Sequence, residues 1–236
     1  MLKKNDDTFQ IKFLKIINEL EKEKNILISP YSLLLVMKIL YLGSSGETEK
    51  ELYSVLSSGI SQKIFDSIES YMEILKSIPE LTIANAIFIK EIPSEKFISS
   101  IKKYETLIEK LKNVNQINKW CSEKTKGKID KIIDSLNNND IMVILNAIYF
   151  KDNWFLNFDK KLTKKDFFFN YKNEEEKDIL FMNQKFKNIP YYHSNKEEII
   201  QLNYISNCCA YIILPNKEIK IDDYQKFKFK KFYKFI

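Results

Sequence analysis

Three cysteines, one histidine and a short run of carboxylates are the side chains here that could carry covalent or acid–base chemistry. A thiol nucleophile needs a base beside it, and His193, in Pro-Tyr-Tyr-His-Ser, has no Ser or Cys nucleophile motif around it. Metal binding needs ligands at short, regular spacings, and Cys121, Cys208, Cys209 and His193 do not supply them. An odd number of cysteines, two of them adjacent, is a poor disulfide framework and fits free thiols in a reducing compartment. Glu174, Glu175 and Glu176 are consecutive on a link, so they cannot converge on one substrate atom and read as a solvated run. Gly43, Gly46, Gly59 and Gly127 are too scattered to cradle a phosphate. The sequence predicts no enzyme, no metal site and no cofactor.

The elements are more informative. Phe9, Ile11, Phe13, Leu14, Ile16, Ile17 and Leu20 recur at helical spacing. Ile26-Leu27-Ile28 is a short β-like run, after which Ser29 can cap a helix with Pro30 at its first position. That helix covers Tyr31 to Leu42, with Lys38 as its only charge and Gly43 placed to end it. A helix apolar on nearly every face must be buried on nearly every face. Thr48 and Glu51 have the spacing of a capping box for a helix ending near Leu56, and an amphipathic helix is expected over Ile64 to Ile78.

Leu81 to Ile89 and Ile141 to Phe150 are apolar almost throughout, and both contain Asn-Ala-Ile, beginning at Asn85 and at Asn146. Such runs read as strands of a sheet covered on both faces. Helical stretches are expected between them at Ser94 to Lys103 and Val114 to Lys126, the second closed by Gly127. After Trp154 shorter strands follow: Phe167 to Tyr171, Ile179 to Met182, Ile189 to Tyr192, Ile199 to Leu202 and Cys208 to Leu214.

With 236 residues, 44% of them hydrophobic, the chain can build one sizeable core or two small ones. Four Gly and five Pro leave little punctuation for an all-β protein, so an α+β fold is expected. Net charge is +6, and residues 217–236 hold seven Lys against Glu218, Asp222 and Asp223. The remainder is nearly balanced, so no nucleic-acid partner is expected. No apolar run of about eighteen residues occurs, which argues against a membrane span. Lys12 and Lys15 break the first apolar stretch, so no signal peptide is expected and the location is expected to be intracellular.

Ordered blocks carry a family resemblance. Asn25-Ile-Leu-Ile-Ser29-Pro30-Tyr-Ser32-Leu, then Leu40-Tyr-Leu42-Gly43 through Gly46-Glu-Thr48, form the first. The second is Ile117-Asn118-Lys-Trp120 with Thr125-Lys-Gly127-Lys128-Ile129. Leu145-Asn146-Ala-Ile-Tyr149-Phe150-Lys151-Asp-Asn-Trp154, with Phe158 and Thr163, is the most specific, and Tyr211-Ile-Ile-Leu214-Pro215 follows. From about residue 8 to 216 the chain resembles the first two thirds of a serpin (serine protease inhibitor). The resemblance implies one large mixed sheet, two smaller sheets and a jacket of helices, in a serpin-like domain over 1–216 that is C-terminally truncated.

By the same resemblance, Ser29, Pro30, Ser32 and Asn146 match the shutter, where the large sheet opens, and Trp154 matches the breach at its top. Inhibitory serpins insert a cleaved reactive loop into that sheet as a new strand. No run of Ala, Thr, Gly and Glu like the hinge of that loop occurs in these 236 residues, so the chain is expected not to inhibit. A host protease or another protein is the partner the family implies, and a binding or decoy module is the alternative. Heavy use of Lys, Ile and Asn suggests an intracellular, poxvirus-like member acting in the host cytoplasm. The Lys/Phe-rich tail, 217–236, reads as a divergent remnant, a strand with one wet face, or a basic-aromatic binding arm.

Overall fold

The computed structural model describes residues 9–21, 24–57, 68–169 and 175–216. The expected helix start at 64–67, the strand end at 170–171 and the tail at 217–236 lie outside them. The chain divides into two units, Met1–Lys151 and Asp152–Ile236.

In the first unit the order is α1 (Phe9–Leu20), α2 (Pro30–Gly43), α3 (Gly46–Ser57), α4 (Ile68–Lys76), β1 (Leu81–Ile89), α5 (Glu95–Ile101), β2 (Thr106–Lys110), α6 (Val114–Lys124) and β3 (Met142–Phe150). A single 3-10 turn, Lys102–Tyr104, leads into β2. The strands form one mixed sheet in the order β2-β1-β3, with β1 parallel to β2 and antiparallel to β3. Because side chains alternate across a strand, the two faces feed two cores. Ile83, Ile87 and Ile89 join Met142 and Ile144 beneath Leu34, Leu35 and Ile39 of α2. Ala84, Ala86 and Phe88 join Val143, Leu145 and Ala147 against Ile117, Trp120 and Cys121 of α6. The sheet is covered on both faces, as its apolar runs require.

Several expectations need correcting. Residues 26–28 lie in no strand, and Glu175 and Glu176 belong to a strand and not to a link. The helix α2 does end at Gly43, but without a left-handed turn there: Gly43 is its last residue, followed by an extended Ser44. Its lack of a side chain serves packing instead, since a Cβ there would lie 2.7 Å from the Phe97 ring. Thr48 is no cap, because α3 already begins at Gly46, whose φ of +65° suits glycine. Finally, β2 was not anticipated: Thr-Leu-Ile-Glu-Lys carries too few apolar residues to announce a strand.

The second unit contains β4 (Lys164–Phe169), β5 (Glu175–Phe181), β6 (Tyr191–His193), β7 (Glu197–Asn203) and β8 (Cys209–Pro215). They form a two-stranded sheet, β4-β5, and a three-stranded sheet, β6-β7-β8, both antiparallel. Phe167, Phe168, Phe169, Leu180 and Met182 are exposed on or beside β4-β5.

Candidate functional site

The chain enters α2 through Ser29, whose backbone is extended (φ −123°, ψ 97°). Its Oγ accepts the Ser32 N–H at 3.2 Å, and the Ser32 hydroxyl donates to it at 2.9 Å. Pro30, at the first helical position, has no N–H to leave unpaired. Ser29, Pro30 and Ser32 are thus one local cap.

Asn146 lies on β3 directly opposite Asn85 on β1, on the face of the sheet that packs against α2. Its Nδ2 donates to Asn85 Oδ1 at 2.8 Å. Asn85, only 4% exposed, in turn donates its Nδ2 to the backbone carbonyl of Tyr104 at 2.9 Å. On the other side of Asn85 the paired residue is Thr106 of β2. A polar row, Thr106–Asn85–Asn146, therefore crosses all three strands in an otherwise apolar layer. The row is only partly satisfied: Thr106 Oγ1 and Asn146 Oδ1 are buried without a hydrogen-bond partner among the described residues. The Ser29–Ser32 pair bonds within itself, and among the described residues no hydrogen bond joins it to Asn146.

Tyr104 extends the network outward. Its ring is fully buried, and its hydroxyl donates to Glu69 Oε1 of α4 at 2.5 Å. Lys103 Nζ lies 2.8 Å from the same oxygen. Burial pushes the Glu69 carboxyl up, but Lys103 and Tyr104 together outweigh it and hold the group below the usual carboxylate range. Burial, then the bond to Glu69, raises the Tyr104 phenol. Burial also pushes the Tyr31 phenol, with no hydrogen-bond partner among the described residues, up to about 12.

In the second unit, Trp154 forms an isolated antiparallel bridge with Tyr204. Their rings stack at 4.3 Å and 15°, and Phe158 meets Trp154 edge-on at 6.4 Å. Backbone bonds Phe155 N–H to Asn203 O (2.8 Å) and Ile205 N–H to Asn153 O (3.0 Å) flank the stack. Beside it, the Ser206 N–H holds the Asp152 carboxyl below the usual range. Asp152 Oδ2 accepts that N–H at 2.9 Å.

Sequence reasoning singled out Asn146 but not the residues bonded with it or beside it, Asn85, Thr106, Tyr104 and Glu69. The repeated Asn-Ala-Ile was the available signal for Asn85, since two like strands pairing in register bring their asparagines together. Among the described residues no group of three or more His, Cys, Asp or Glu could hold a metal, and no helix is long and apolar enough to cross a membrane. His193 lies 47 positions beyond Asn146 in sequence, and its Nδ1 is 3.8 Å from Glu198 Oε1.

Comparison with known proteins agrees with this geometry. The family described as Serpin (serine protease inhibitor) matches residues 4–233. A corticosteroid-binding globulin from Saimiri sciureus is 29% identical, over 89% of this chain and 56% of its own length. A serpin-like protein of Methanosarcina mazei is 32% identical, over 87% and 54%. Serpin B6 of Macaca fascicularis is 29% identical, over 96% and 65%. Of solved structures, the native thermophilic serpin tengpin superposes with a TM-score of 0.83 at 29% identity, covering 100% of this chain and 65% of tengpin. Thyroxine-binding globulin with thyroxine gives 0.82 at 25%, covering 98% and 67%. The chain spans about half to two thirds of the length of these relatives. With a family match over nearly all its residues and the serpin arrangement of sheets and helices, this chain belongs to the serpin family.

Proposed function

We propose that these 236 residues form the sheet-opening body of a serpin-type protein and do not by themselves trap a protease. The observation that carries the first half is the Asn85–Asn146 pair at the centre of the sheet, under α2. Ser29, Pro30 and Ser32 shape the start of that helix, and Asn146 keeps a buried carbonyl oxygen in reserve. A strand arriving beside β3 can offer that oxygen a donor, so the row can re-pair instead of being left unpaired at about 1–3 kcal/mol per buried group. Trp154, on its stack with Tyr204, is the breach residue of this reading.

Support for the second half is compositional. Suicide inhibition needs a flexible hinge of small residues, and no run of Ala, Thr, Gly and Glu occurs among the 236 residues. The partner of this reading is a protein, a host protease or another, met through contacts rather than acylation. The domain limit at residue 216 and an intracellular, poxvirus-like origin belong to the same proposal, supported by the Lys, Ile and Asn bias. The relatives above are mammalian and archaeal.

Incubation of the purified chain with a panel of serine and cysteine proteases tests this. No adduct that survives boiling in SDS is expected, and a one-to-one conjugate refutes the non-trapping role. The exposed Phe167, Phe168, Phe169, Leu180 and Met182 favour a second reading, a protein-binding module. Light scattering checks it: a clean monomer argues against a sticky apolar face, and defined or heterogeneous assemblies argue for one.

A further inference from the structure

Five side chains outside the shutter motif, Glu69, Lys76, Lys103, Tyr104 and Glu105, are placed to control it. Glu69 and Lys76 sit seven residues apart on α4, two turns along one face of the helix. Both reach the short turn that follows α5. Glu69 Oε1 accepts the Tyr104 hydroxyl at 2.5 Å and pairs with Lys103 at 2.8 Å. Lys76 Nζ pairs with Glu105 Oε1 at 2.8 Å. The turn between these two clamps closes with Glu105 at φ 48°, a left-handed conformation uncommon for a residue other than glycine. The carbonyl presented by that turn is the Tyr104 oxygen that accepts from Asn85, and Asn85 in turn accepts from Asn146.

We propose that Tyr104 is a positioning residue for the Asn85–Asn146 pair, and that α4 sets its position through Glu69 and Lys76. This inference rests on reading that pair as the lock of the sheet. Asn85 is 4% exposed and Tyr104 is fully buried, so neither can exchange its partner for water while the layer stays closed. The carbonyl can meet Asn85 Nδ2 only where the Tyr104 backbone is held, and Tyr104 is held at its ring by Glu69 and at the next residue by Lys76. Releasing the hydroxyl frees the ring end of the tether, and the lock weakens without any change on β1 or β3. A molecule or modification that draws Glu69 or Lys76 away from the turn therefore loosens β3 from a distance.

The test is amide hydrogen exchange across β3, with the Asn85 and Asn146 side-chain amides followed by NMR, in the full 236-residue chain. Tyr104→Phe keeps the ring and its packing and removes only the hydroxyl. Glu69→Ala removes the acceptor, and Glu69→Gln restores an acceptor without the charge. Asn146→Ala breaks the lock directly. The expected result is faster exchange at Ile144 to Ile148, by about tenfold, in Tyr104→Phe, Glu69→Ala and Asn146→Ala, with Glu69→Gln close to the parent. Exchange raised by Asn146→Ala but unchanged in Tyr104→Phe and Glu69→Ala overturns the role of α4 alone. Exchange unchanged in Asn146→Ala overturns the lock itself, and the positioning role with it. Equal acceleration in Glu69→Gln and Glu69→Ala overturns the hydrogen bond as the tether.

Discussion

Asn146 donates its side-chain amide to the Asn85 carbonyl oxygen across the β1–β3 ladder at 2.8 Å, so one side chain of each of these paired strands is used to hold the other. Apolar packing alone would stabilise this layer at least as well, since a buried and a half-buried amide gain only about 0.5–1.5 kcal/mol net from their bond. What the pair adds is a set of alternatives: Asn146 Oδ1 is still unpartnered among the described residues. A contact that is modest when made and costly when broken singly suits the sheet-opening role proposed for this layer.

One side chain makes three hydrogen bonds to the return link after α6. Asn118 Oδ1 accepts the Ile132 and Ile133 N–H groups at 2.9 and 3.1 Å, and its Nδ2 donates to Ile133 O at 3.0 Å. Asn118→Ala is expected to cost about 1–2 kcal/mol, because the link lies near solvent that can replace part of these bonds. Limited proteolysis checks it: cleavage should rise selectively between Lys126 and Leu136, with little change elsewhere.

Stability should fall toward both extremes of pH. The Glu69 carboxyl is held below its ordinary 4.5, burial opposing and Lys103 and Tyr104 prevailing. The unfolded chain therefore takes up that proton first. The stabilisation is present above 4.5 and is lost as pH falls through the folded value. Tyr31 has the opposite sign: its phenol rises from 10.0 to about 12, chiefly by burial. Its contribution is whole below pH 10 and is lost as pH climbs toward 12. Urea midpoints measured against pH should show Glu69→Gln flattening the acid limb and Tyr31→Phe part of the alkaline one. At neutral pH Tyr31→Phe should leave stability unchanged or slightly raised, since it removes a buried hydroxyl with no hydrogen-bond partner among the described residues.

Thiol chemistry should distinguish the three cysteines. Cys121 is buried in the core under α6, and burial raises its thiol above the ordinary range. Cys209 is exposed and Cys208 half-buried. Native-state alkylation read by mass spectrometry should label Cys209 first and Cys121 only on unfolding, because the thiolate is the reactive form. Fast labelling of Cys121 in the native protein would contradict its place in the core.

The Trp154–Tyr204 stack should behave as a coupled pair. A cycle of Trp154→Leu, Tyr204→Leu and the double variant should give a coupling of about 0.5–1.5 kcal/mol, the range for offset aromatic pairs. Additive losses would show that the two rings serve only as separate apolar surface.

Much of this was readable in the sequence where apolar pattern alone decides the outcome. Leu81–Ile89 announced itself as a strand because burial on both faces leaves only Thr82 and Asn85 as polar interruptions of an apolar run. Ser29 announced α2 because the cap is made within three residues. Contacts formed by distant segments were not legible. Thr106–Lys110 is an outer strand with two charged residues, and its pairing to β1 carries no local signature. Tyr104 meets Glu69 across 35 positions and supplies its backbone oxygen to Asn85 across 19, and a carbonyl is the same in every residue type. Thr48 misled because its spacing to Glu51 imitates a cap, while Gly46 starts the helix one turn-half earlier.

The account turns on whether the two asparagines act together, and a four-protein cycle measures that. Asn85→Ala, Asn146→Ala, both and neither would be unfolded in urea in a Trp154→Phe background, so that Trp120, beside β1, is the fluorophore left in the chain. A favourable coupling of about 1 kcal/mol or more is predicted, because either single change strands the remaining amide. Losses that simply add, with no coupling, would mean that the amides do not lock the sheet.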